Sequence, residues 1–364
     1  MELTKCKLGE LITQRREKND GSDLPICGVS KDGLIPPKQK DADTSIYNVF
    51  YRDDFIFNPA RMELNSIAIN DMYDRAICSS LYEVFYVHRT DLLLPHYLKL
   101  IIRQKWFTRY CEFLGQGSAR EYCRFSNISE IEIEFPPVEE QQKIVDYNTV
   151  IENRIALKQK INDNLEATAQ AYFDNLFFSC DDTDCTLADI ALVNPSRPKG
   201  VEARCFDMST LPTSGCIPTG DTIKPYNGGV RFINGDTLIA RITPCLENGK
   251  AAYLNILNEG EVAFGSTEYI VFASKDDIPS CFYYFLIRNS KFVTFALQFM
   301  NGSSGRQRVS GEELASFPLM TPSKEKLAAF NKVGKLVLEQ MKEATEEIQL
   351  LKQLQETITA TLSS

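Results

Sequence analysis

The sequence predicts an α+β protein with two similar α/β domains, separated by two long helices that pack as an antiparallel coiled coil. Three observations lead to this prediction. A series of short motifs occurs twice along the chain in the same order. The segments that carry these motifs are rich in short β-type runs, and each is followed by a long amphipathic helical pattern. A duplicated domain on a duplicated helix predicts an internal repeat with a pseudo-twofold axis.

The first copy consists of a domain at residues 1–137 and a central helix at residues 138–180. Pro136-Pro137 suits the start of a helix, because the first turn does not use the missing N–H groups. Its apolar stripe has helical spacing, and Asn148, Lys158 and Asn162 interrupt it. The stripe comprises Ile144, Ile151, Ile155, Leu165, Ala169, Tyr172 and Leu176. Roughly forty residues make a helix of about 60 Å, which needs a partner to cover its stripe.

The second copy consists of a domain at residues 181–322 and a C-terminal helix at residues 323–364. Ser323 follows Thr321-Pro322 and is the expected N-cap. The stripe comprises Leu327, Phe330, Val337, Met341, Ala344, Ile348, Leu351, Gln355, Ile358 and Leu362. From Val337 onward its steps alternate between four and three, as in a heptad seam. Each helix alone could pack on its own domain, but their matched lengths favour pairing with each other.

Six motif pairs define the repeat. They match Cys6–Ile12 with Cys185–Ala191, Tyr51–Phe57 with Ile233–Ile239, Ser79–Phe85 with Gly265–Val271 (allowing a one-residue slip), Leu100–Arg103 with Phe285–Arg288, Gly117–Arg120 with Gly302–Arg306, and Pro136-Pro137 with Thr321-Pro322. Single matches of this kind are common by chance, but six in one order are not. Each domain also contains β-type runs, such as Thr237–Ile242, Glu268–Phe272 and Leu81–Val87, and one helix, near Pro95–Phe113 or Ser280–Met300.

Composition excludes several classes of protein. The net charge is −9 and no segment of the chain is basic overall, so any DNA-binding face must concentrate its arginines and lysines locally. No apolar run has transmembrane length and the N-terminus lacks a signal-peptide core, so we expect a cytoplasmic protein. The eleven cysteines contain no Cys-x-x-Cys pair and indicate reduced, mostly buried thiols. With only His88 and His96 as histidines, we predict no metal site.

A loop rich in Gly, Ser and Arg follows the domain helix in each copy. Glycine lets backbone N–H groups approach a phosphate, serine donates hydrogen bonds, and arginine supplies charge or bidentate contact to guanine. The predicted DNA-binding residues are Gly117, Ser118, Arg120 and Arg124 in the first copy, and Ser303, Ser304, Arg306 and Arg308 in the second. A solvent loop with incidental arginines is the alternative, but the same placement in both copies favours DNA contact.

The second copy contains a further candidate turn after a strand-like run. Arg241, Thr243, Asn248 and Lys250 lie in this turn and carry side chains that can contact phosphates and base edges. An ordinary surface hairpin is the alternative. The matching segment of the first copy, residues 57–62, is shorter and different. Two domains with one scaffold and different loops would read different DNA sequences.

The motifs of the common nucleotide-dependent enzymes are missing. The sequence has no Gly-x-x-x-x-Gly-Lys-Ser/Thr loop for ATP and no glycine-rich segment typical of S-adenosylmethionine binding. Asn58-Pro59-Ala60-Arg61 and Asn194-Pro195-Ser196-Arg197 only half resemble the Asn-Pro-Pro-aromatic motif of adenine methyltransferases. We therefore predict no catalytic residues and no cofactor.

Taken together, these features resemble the specificity (S) subunit of type I restriction-modification systems. The resemblance covers essentially the whole chain and is strongest at Phe135–Val145, Lys160–Glu166, Ala169–Ala171, Gly235–Lys250 and Gly265–Glu268. It implies two target-recognition domains that each read one half of a bipartite double-stranded DNA site. It also implies helical spacers that set the gap and bind two methyltransferase (M) subunits, with restriction (R) subunits joining through the complex. In this family the S subunit is not itself catalytic.

The sequence departs from the family pattern at two places, and two other classes of function stay open. The first copy lacks the Arg-x-Thr-Pro turn, and the second helix begins with Ser323-Lys324-Glu325-Lys326 where Glu-Gln is common. The alternatives are a DNA methyltransferase or nuclease with atypical motifs, and a coiled-coil scaffold without a DNA role. Methyl transfer by the chain alone would favour the enzyme, whereas salt-sensitive binding of the complex to one bipartite sequence would exclude the scaffold.

Overall fold

The computed structural model describes residues 3–31, 33–37, 43–114, 122–303 and 305–361, with only the backbone of residues 114 and 361 described. The chain forms two compact units. Unit 1 comprises Met1–Asn153 and Lys352–Ser364, and unit 2 comprises Arg154–Leu351. Each unit contains sheets and helices in its described part, so the predicted α+β class is confirmed. No helix among the described residues combines the length and the apolar character that crossing a membrane requires.

Unit 1 contains three sheets within its described residues. Its strands are β1 (Thr4–Lys7), β2 (Ile12–Arg15), β3 (Ile26–Ser30), β4 (Gly33–Ile35), β5 (Asn48–Tyr51), β6 (Phe55–Phe57), β7 (Ile67–Ile69), β8 (Arg75–Cys78), β9 (Glu83–Val87) and β10 (Glu132–Phe135). Two four-stranded sheets have the orders β2-β9-β6-β7 and β4-β3-β8-β5, and β1 pairs with β10. The β3–β8 pairing is parallel and the other pairings are antiparallel.

Unit 2 repeats this plan strand for strand. Its strands are β11 (Cys185–Thr186), β12 (Ala191–Val193), β13 (Glu202–Phe206), β14 (Thr222–Pro225), β15 (Val230–Phe232), β16 (Thr237–Ala240), β17 (Ala251–Tyr253), β18 (Ala263–Gly265), β19 (Tyr269–Ser274) and β20 (Pro318–Leu319). The sheet orders are β12-β19-β16-β17, β14-β13-β18-β15 and β11-β20, which confirms the predicted repeat. The strand register fixes the one-residue slip allowed in one motif match: Phe85 pairs with Phe55 as Phe272 pairs with Thr237, so Phe85 corresponds to Phe272.

The helices also repeat, with one difference from the prediction. They are α1 (Pro95–Ile102), α2 (Lys105–Leu114), α3 (Phe125–Ser129), α4 (Val138–Phe177), α5 (Leu187–Ile190), α6 (Cys281–Arg288), α7 (Ser290–Gln298), α8 (Gly311–Ala315) and α9 (Lys324–Thr361). The single helices predicted near 95–113 and 280–300 are each two helices. In unit 2 the break lies at Asn289, whose backbone is extended and whose side chain accepts hydrogen bonds from Lys291 N and Phe292 N. Asn289 therefore caps α7 instead of continuing α6.

The long helices contact each other within unit 2. Asn162 Nδ2 of α4 donates to Thr345 Oγ1 of α9 at 3.2 Å, and the ring of Tyr172 lies 6.1 Å from that of Phe330. Lys158 Nζ lies 2.7 Å from a carboxylate oxygen of Glu347. Residues later in α4 contact residues earlier in α9, so these two segments run antiparallel. The polar residues that interrupt the predicted stripe thus have partners on the facing helix. Coiled-coil packing and the twofold axis stay predictions.

Within unit 1, the start of α4 is fixed by a buried glutamine. Gln141 is fully buried, and its Nε2 donates to Leu92 O at 2.7 Å and to Pro136 O at 2.8 Å. Its Oε1 accepts from Leu94 N at 2.9 Å. The strand pairing places Leu319 where unit 1 has Ile133, which shifts the proline match by one residue, and the position that corresponds to Gln141 in α9 is then the buried apolar Leu327. At the start of the second helix, where the sequence lacks the Glu-Gln pair common in the family, an apolar contact therefore replaces the polar contacts of Gln141.

Among its described residues, each unit buries an aspartate just before an inner strand of a four-stranded sheet. Asp54 precedes β6 and accepts hydrogen bonds from Tyr51 N at 2.8 Å and Arg15 Nε at 2.6 Å. Asp236 precedes β16 and accepts from Ile233 N at 2.9 Å and from Arg197 Nη2 at 2.7 Å. Burial raises the pKa of both carboxyl groups, that of Asp236 to about 6. These two aspartates have a structural role, since each accepts hydrogen bonds from a backbone N–H of the preceding turn and from an arginine side chain.

Candidate nucleic-acid interface

The two candidate segments of unit 2 lie side by side, although they are about sixty residues apart in the sequence. Thr243 N donates to Gln307 O at 3.0 Å, and Gln307 N donates back to Thr243 Oγ1 at 3.0 Å. Ile242 and Arg308 form an isolated antiparallel bridge. Since these bonds join the turn after β16 to the loop before α8, we treat residues 241–250 and 301–308 as one surface, the unit 2 loop pair.

The second segment of the loop pair is a tight hairpin. Asn301 N donates to Arg308 O at 2.9 Å and Arg308 N donates to Asn301 O at 2.8 Å. Gly302 has φ +132°, and a Cβ there would lie 3.0 Å from Arg306 O. The position therefore requires glycine. Ser303 and Arg306 are exposed at this hairpin, whereas Ser304 lies outside the described residues.

Arg308 and Glu268 form a bidentate ion pair within unit 2. Arg308 Nη2 lies 2.7 Å from Glu268 Oε1, and Arg308 Nε lies 2.9 Å from both carboxylate oxygens. This guanidinium lowers the pKa of Glu268 below its usual value, with a smaller contribution from Arg241. The pair is part-exposed, with 41% of the Arg308 side chain and 25% of the Glu268 side chain accessible. A ligand can therefore reach both partners.

Arg241 lies behind this pair. Its N–H donates to Glu268 O at 2.9 Å, and its carbonyl accepts from Val309 N at 3.0 Å. Its Nε is buried and has no hydrogen-bond partner among the described residues. A buried donor without a partner is costly, and a ligand could bond to this Nε only after the Arg241 side chain has moved toward the surface.

The other predicted residues of this surface differ in what they can do. Asn248 is exposed, so its side chain is available to a ligand. Lys250 Nζ donates to Met208 O at 2.7 Å and thereby ties down a neighbouring segment. Thr243 is only 7% exposed, and its hydroxyl receives the Gln307 N–H. Thr243 and Lys250 thus have structural partners, whereas Asn248, Ser303 and Arg306 face solvent.

In unit 1 the predicted loop is described only in part. Gly117, Ser118 and Arg120 lie outside the described residues. Arg124 is exposed at the start of α3, and its Nη1 lies 3.6 Å from Glu83 Oε1. Glu83 also accepts from Phe125 N at 2.7 Å. Glu83 occupies the strand position that corresponds to Ile270, so this ion pair is not the equivalent of Arg308–Glu268.

Two carboxylates that lie beside the candidate loops, one in each unit, were not among the predicted DNA-binding residues. Glu268 and Glu83 both oppose an arginine of a candidate loop. The only sequence signal for Glu268 was its place at the end of the Gly265–Glu268 motif. Among the described residues, no group of three or more His, Cys, Asp or Glu side chains is placed to bind a metal ion.

Comparison with known proteins assigns the chain to a family. The sequence model of the family described as type I restriction modification DNA specificity domain matches residues 6–167 and 219–360. The specificity subunit of the type I restriction enzyme EcoEI of Escherichia coli is 28% identical over 193 residues, covering 49% of this chain and 32% of that protein. The EcoAI specificity subunit of Escherichia coli is 33% identical over 132 residues, covering 34% and 22%. The matched part of the chain thus spans about a third or less of these relatives.

A solved structure shares the fold over the full chain. The type I restriction-modification system S subunit from M. genitalium aligns with a TM-score of 0.59 and 14% sequence identity. The alignment covers 100% of this chain and 96% of that chain. Because the family's sequence model matches both copies of the repeat and most of the sequence, this chain belongs to the type I restriction modification DNA specificity domain family.

Proposed function

We propose that this chain is the noncatalytic, sequence-specific DNA-recognition subunit of a type I restriction-modification complex. In this proposal residues 1–137 and 181–322 are target-recognition domains, and each reads one half of a bipartite double-stranded site. Family membership and the named specificity subunits among its relatives support this class of function. The repeated sheet order supports two domains of the same kind with different loops.

The observation that carries the proposal is the unit 2 loop pair. It concentrates Arg241, Arg306 and Arg308 on one surface of a chain whose net charge is −9. Arginine beside hydrogen-bonding loops is the usual means of reading guanine and of holding phosphates. Glu268 adds an acceptor that can pair with the amino group of cytosine. The surface therefore combines positive charge with base-reading chemistry.

Methylome sequencing of cells that carry the chain and its cognate methyltransferase tests this proposal. We expect methylation at one motif made of two half-sites separated by a fixed gap. Changing the unit 2 loop pair should alter one half-site and leave the other unchanged. A single continuous motif, or a change in both half-sites, would contradict the assignment of one domain to each half.

We further propose that α4 and α9 set the gap and dock two methyltransferase subunits, with restriction subunits joining through the complex. Large apolar side chains are exposed along both helices; they are Tyr147, Val150, Leu157, Ile161, Val333, Leu336, Leu350 and Leu354. Exposed apolar residues in rows are typical of protein interfaces. Leu157→Ser and Leu336→Ser should weaken co-purification with the methyltransferase, whereas Leu192→Ser, at an exposed leucine outside these helices, should not.

The proposal assigns no cofactor and no catalysis to this chain. The purified chain incubated with DNA and S-adenosylmethionine should transfer no methyl groups, and adding the methyltransferase subunit should restore transfer. Methylation by the chain alone would instead support the atypical methyltransferase. A chain that assembles with its partners but leaves their DNA binding unchanged would support the scaffold.

A further inference from the structure

A largely buried arginine of unit 2 contacts the turn at residues 241–250 and is not among the predicted DNA-binding residues. Arg288 is the last residue of α6, and only 15% of its side chain is exposed. Its guanidinium donates to carbonyls of two other segments. Nη1 donates to Gly249 O at 2.8 Å, and Nη2 donates to Gly215 O at 3.1 Å. Arg288 therefore joins the end of the candidate DNA-binding turn to the segment 213–216.

Backbone hydrogen bonds make the turn at residues 241–250 a compact block. Leu246 N donates to Ile242 O at 3.0 Å, and Lys250 N donates to Cys245 O at 3.0 Å. Because these bonds hold the peptide units of the turn together, a contact at one end of the turn sets the direction of the whole turn.

The contact with Arg288 lies one residue from an exposed DNA-binding candidate. Gly249 has φ +70°, and a Cβ there would lie 3.2 Å from Arg288 Nη1. Glycine therefore permits both the backbone conformation and the close approach of the guanidinium. Asn248 is exposed and precedes Gly249 directly, so a shift of Gly249 would redirect the Asn248 side chain.

Helix α4 holds the other side of Arg288. Glu166 Oε1 lies 3.4 Å from Arg288 Nε and accepts a hydrogen bond from the hydroxyl of Tyr284. Burial raises the pKa of Tyr284 well above its ordinary value, so the hydroxyl keeps its proton and stays a donor. Gly215 N donates to Glu166 Oε2 at 3.4 Å. The carboxylate thus orients the guanidinium and the segment 213–216 together.

This set of contacts requires an arginine. A guanidinium presents five N–H donors in one plane, so it can serve two carbonyls and a carboxylate at once, whereas the three donors of a lysine sit on a flexible stem. Removing one partner of a buried ion pair leaves the other charge uncompensated. Arg288 and Glu166 therefore hold each other in a single arrangement.

We propose that Arg288 is a positioning residue for base reading, which together with Glu166 of α4 fixes the orientation of the turn that carries Asn248. The inference rests on the proposed function, because it assigns to Arg288 the accuracy with which unit 2 reads its half-site. A contact that only stabilised the fold would affect binding to all DNA sequences equally. A positioning residue instead controls the discrimination between bases.

Binding of the assembled complex to short DNA duplexes measures this discrimination. One duplex carries the bipartite site that methylome sequencing identifies, and the others carry a single base change in one half-site. Asn248→Ala identifies the half-site that the turn reads. For Arg288→Met, the preference for the correct base in this half-site should fall at least about tenfold at one position. The preference in the other half-site should stay unchanged.

Arg204→Met is the matched control. Arg204 Nη1 donates to Ile256 O at 2.8 Å, and its Nη2 lies 2.7 Å from a carboxylate oxygen of Asp221. The substitution therefore removes the same kinds of contact from unit 2, but outside the loop pair. It should leave the discrimination in both half-sites unchanged.

A second variant separates positioning from a failure to fold. Arg288→Met combined with Glu166→Gln removes both charges together, so no buried carboxylate is left unpaired. Glutamine also keeps an acceptor for the Tyr284 hydroxyl. This double variant should lose discrimination in the same half-site as Arg288→Met.

Three results would overturn the proposal. The first is wild-type discrimination in the double variant, and the second is an equal loss of binding to the correct and the changed duplexes. The third is a loss of discrimination in a different half-site from the one that Asn248→Ala changes. A wild-type complex without preference for any bipartite site would instead overturn the proposed function, so the two failures are distinguishable.

Discussion

At the scale of single residues, the candidate interface contains two kinds of arginine. Arg308 is held by Glu268 in a bidentate pair, whereas Arg306 is exposed on the hairpin four residues after Gly302. A carboxylate that pairs with an arginine fixes the orientation of the guanidinium group, and the pair as a whole carries no net charge. We therefore propose that the Arg308–Glu268 pair reads a base and that Arg306 contacts a phosphate or a base edge.

Arg306→Ala and Arg306→Lys separate the two contacts open to Arg306. If it makes a bidentate base contact, both substitutions should cost about 1–3 kcal/mol of binding and relax one position of the site. If it contacts a phosphate, Ala should weaken binding to all sequences evenly and lysine should largely restore it. Binding of the assembled complex, measured at several salt concentrations, distinguishes them. Wild-type binding by both variants would remove Arg306 from the interface.

Glu268→Gln tests the role of the carboxylate. Glutamine keeps the shape of the side chain but removes the charge that neutralises Arg308. We expect tighter binding to noncognate DNA, a salt dependence steeper by about one ion, and weaker discrimination at one base position. Glu261→Gln, which also removes a carboxylate from unit 2 but lies outside the loop pair, is the control and should change none of these. An unchanged salt dependence in Glu268→Gln would show that Arg308 stays out of the DNA interface.

Sequence reasoning found the loops but not their partners. The Gly, Ser and Arg composition selected 301–308, and the side chains of Arg241, Thr243, Asn248 and Lys250 selected 241–250; both segments stay predictions as DNA contacts. The hydrogen bonds between Thr243 and Gln307 were not predictable, because they depend on long-range pairing. The same reason explains why Glu268 was missed and why the hydrogen bond from the Lys250 amine to Met208 O was not predicted.

At the scale of elements, periodicity predicted the long helices within a few residues of their bounds, 138–177 and 324–361. It missed the breaks between α1 and α2 and between α6 and α7, because apolar spacing continues across them. A polar side chain makes the break in unit 2, where Asn289 caps α7. The buried Gln141 was also missed, because its carbonyl partners come from a loop that the helical pattern does not include.

The buried carboxyl of Asp236 predicts a pH-dependent stability for unit 2. Burial raises its pKa from 3.8 to about 6, and the Ile233 N–H and Arg197 oppose this shift. The folded state therefore binds a proton more tightly than the unfolded state. The associated stability is present below pH about 4 and is lost as the pH rises through about 6. Between pH 5 and 7.5 the loss should be about 1 kcal/mol.

Asp236→Asn removes this titration while keeping an acceptor for the Ile233 N–H. Urea denaturation at pH 5 and pH 7.5 should show a smaller fall in the free energy of unfolding for Asp236→Asn than for wild type. Asp207→Asn, at an exposed acid of the same unit, is the control and should follow wild type. An equal fall in the free energy of unfolding between pH 5 and pH 7.5 for all three proteins would mean that Asp236 is ionised across this range.

At the scale of the whole molecule, duplication explains both what the units share and where they differ. Sheet order, the buried aspartates and the long helix after the last strand occur twice, because they form the scaffold. The segments after β6 and β16 differ in length and sequence, because they connect strands of the scaffold without belonging to it. A protein built in this way can change a loop of one copy without disturbing the other copy.

The long helices predict a specific response to a change in length. If α4 and α9 set the distance between the recognition domains, lengthening both should change the gap of the DNA site and not the bases read. Four residues inserted near Lys158 add about 6 Å and roughly one turn, which nearly preserves the facing stripe. A matching insertion near Ala344 keeps α9 in register. Since one DNA turn spans about 34–36 Å for 10–10.5 base pairs, the gap should grow by one or two base pairs.

Methylome sequencing of cells with the double insertion and the cognate methyltransferase measures both quantities at once. The expected motif has the original half-sites and a slightly longer gap. Insertion in α4 alone serves as the control, because it places Asn162 and Lys158 out of step with Thr345 and Glu347 and should reduce methylation without defining a new gap. New half-sites with the old gap would contradict the role of the helices as a ruler, because base reading would then depend on helix length.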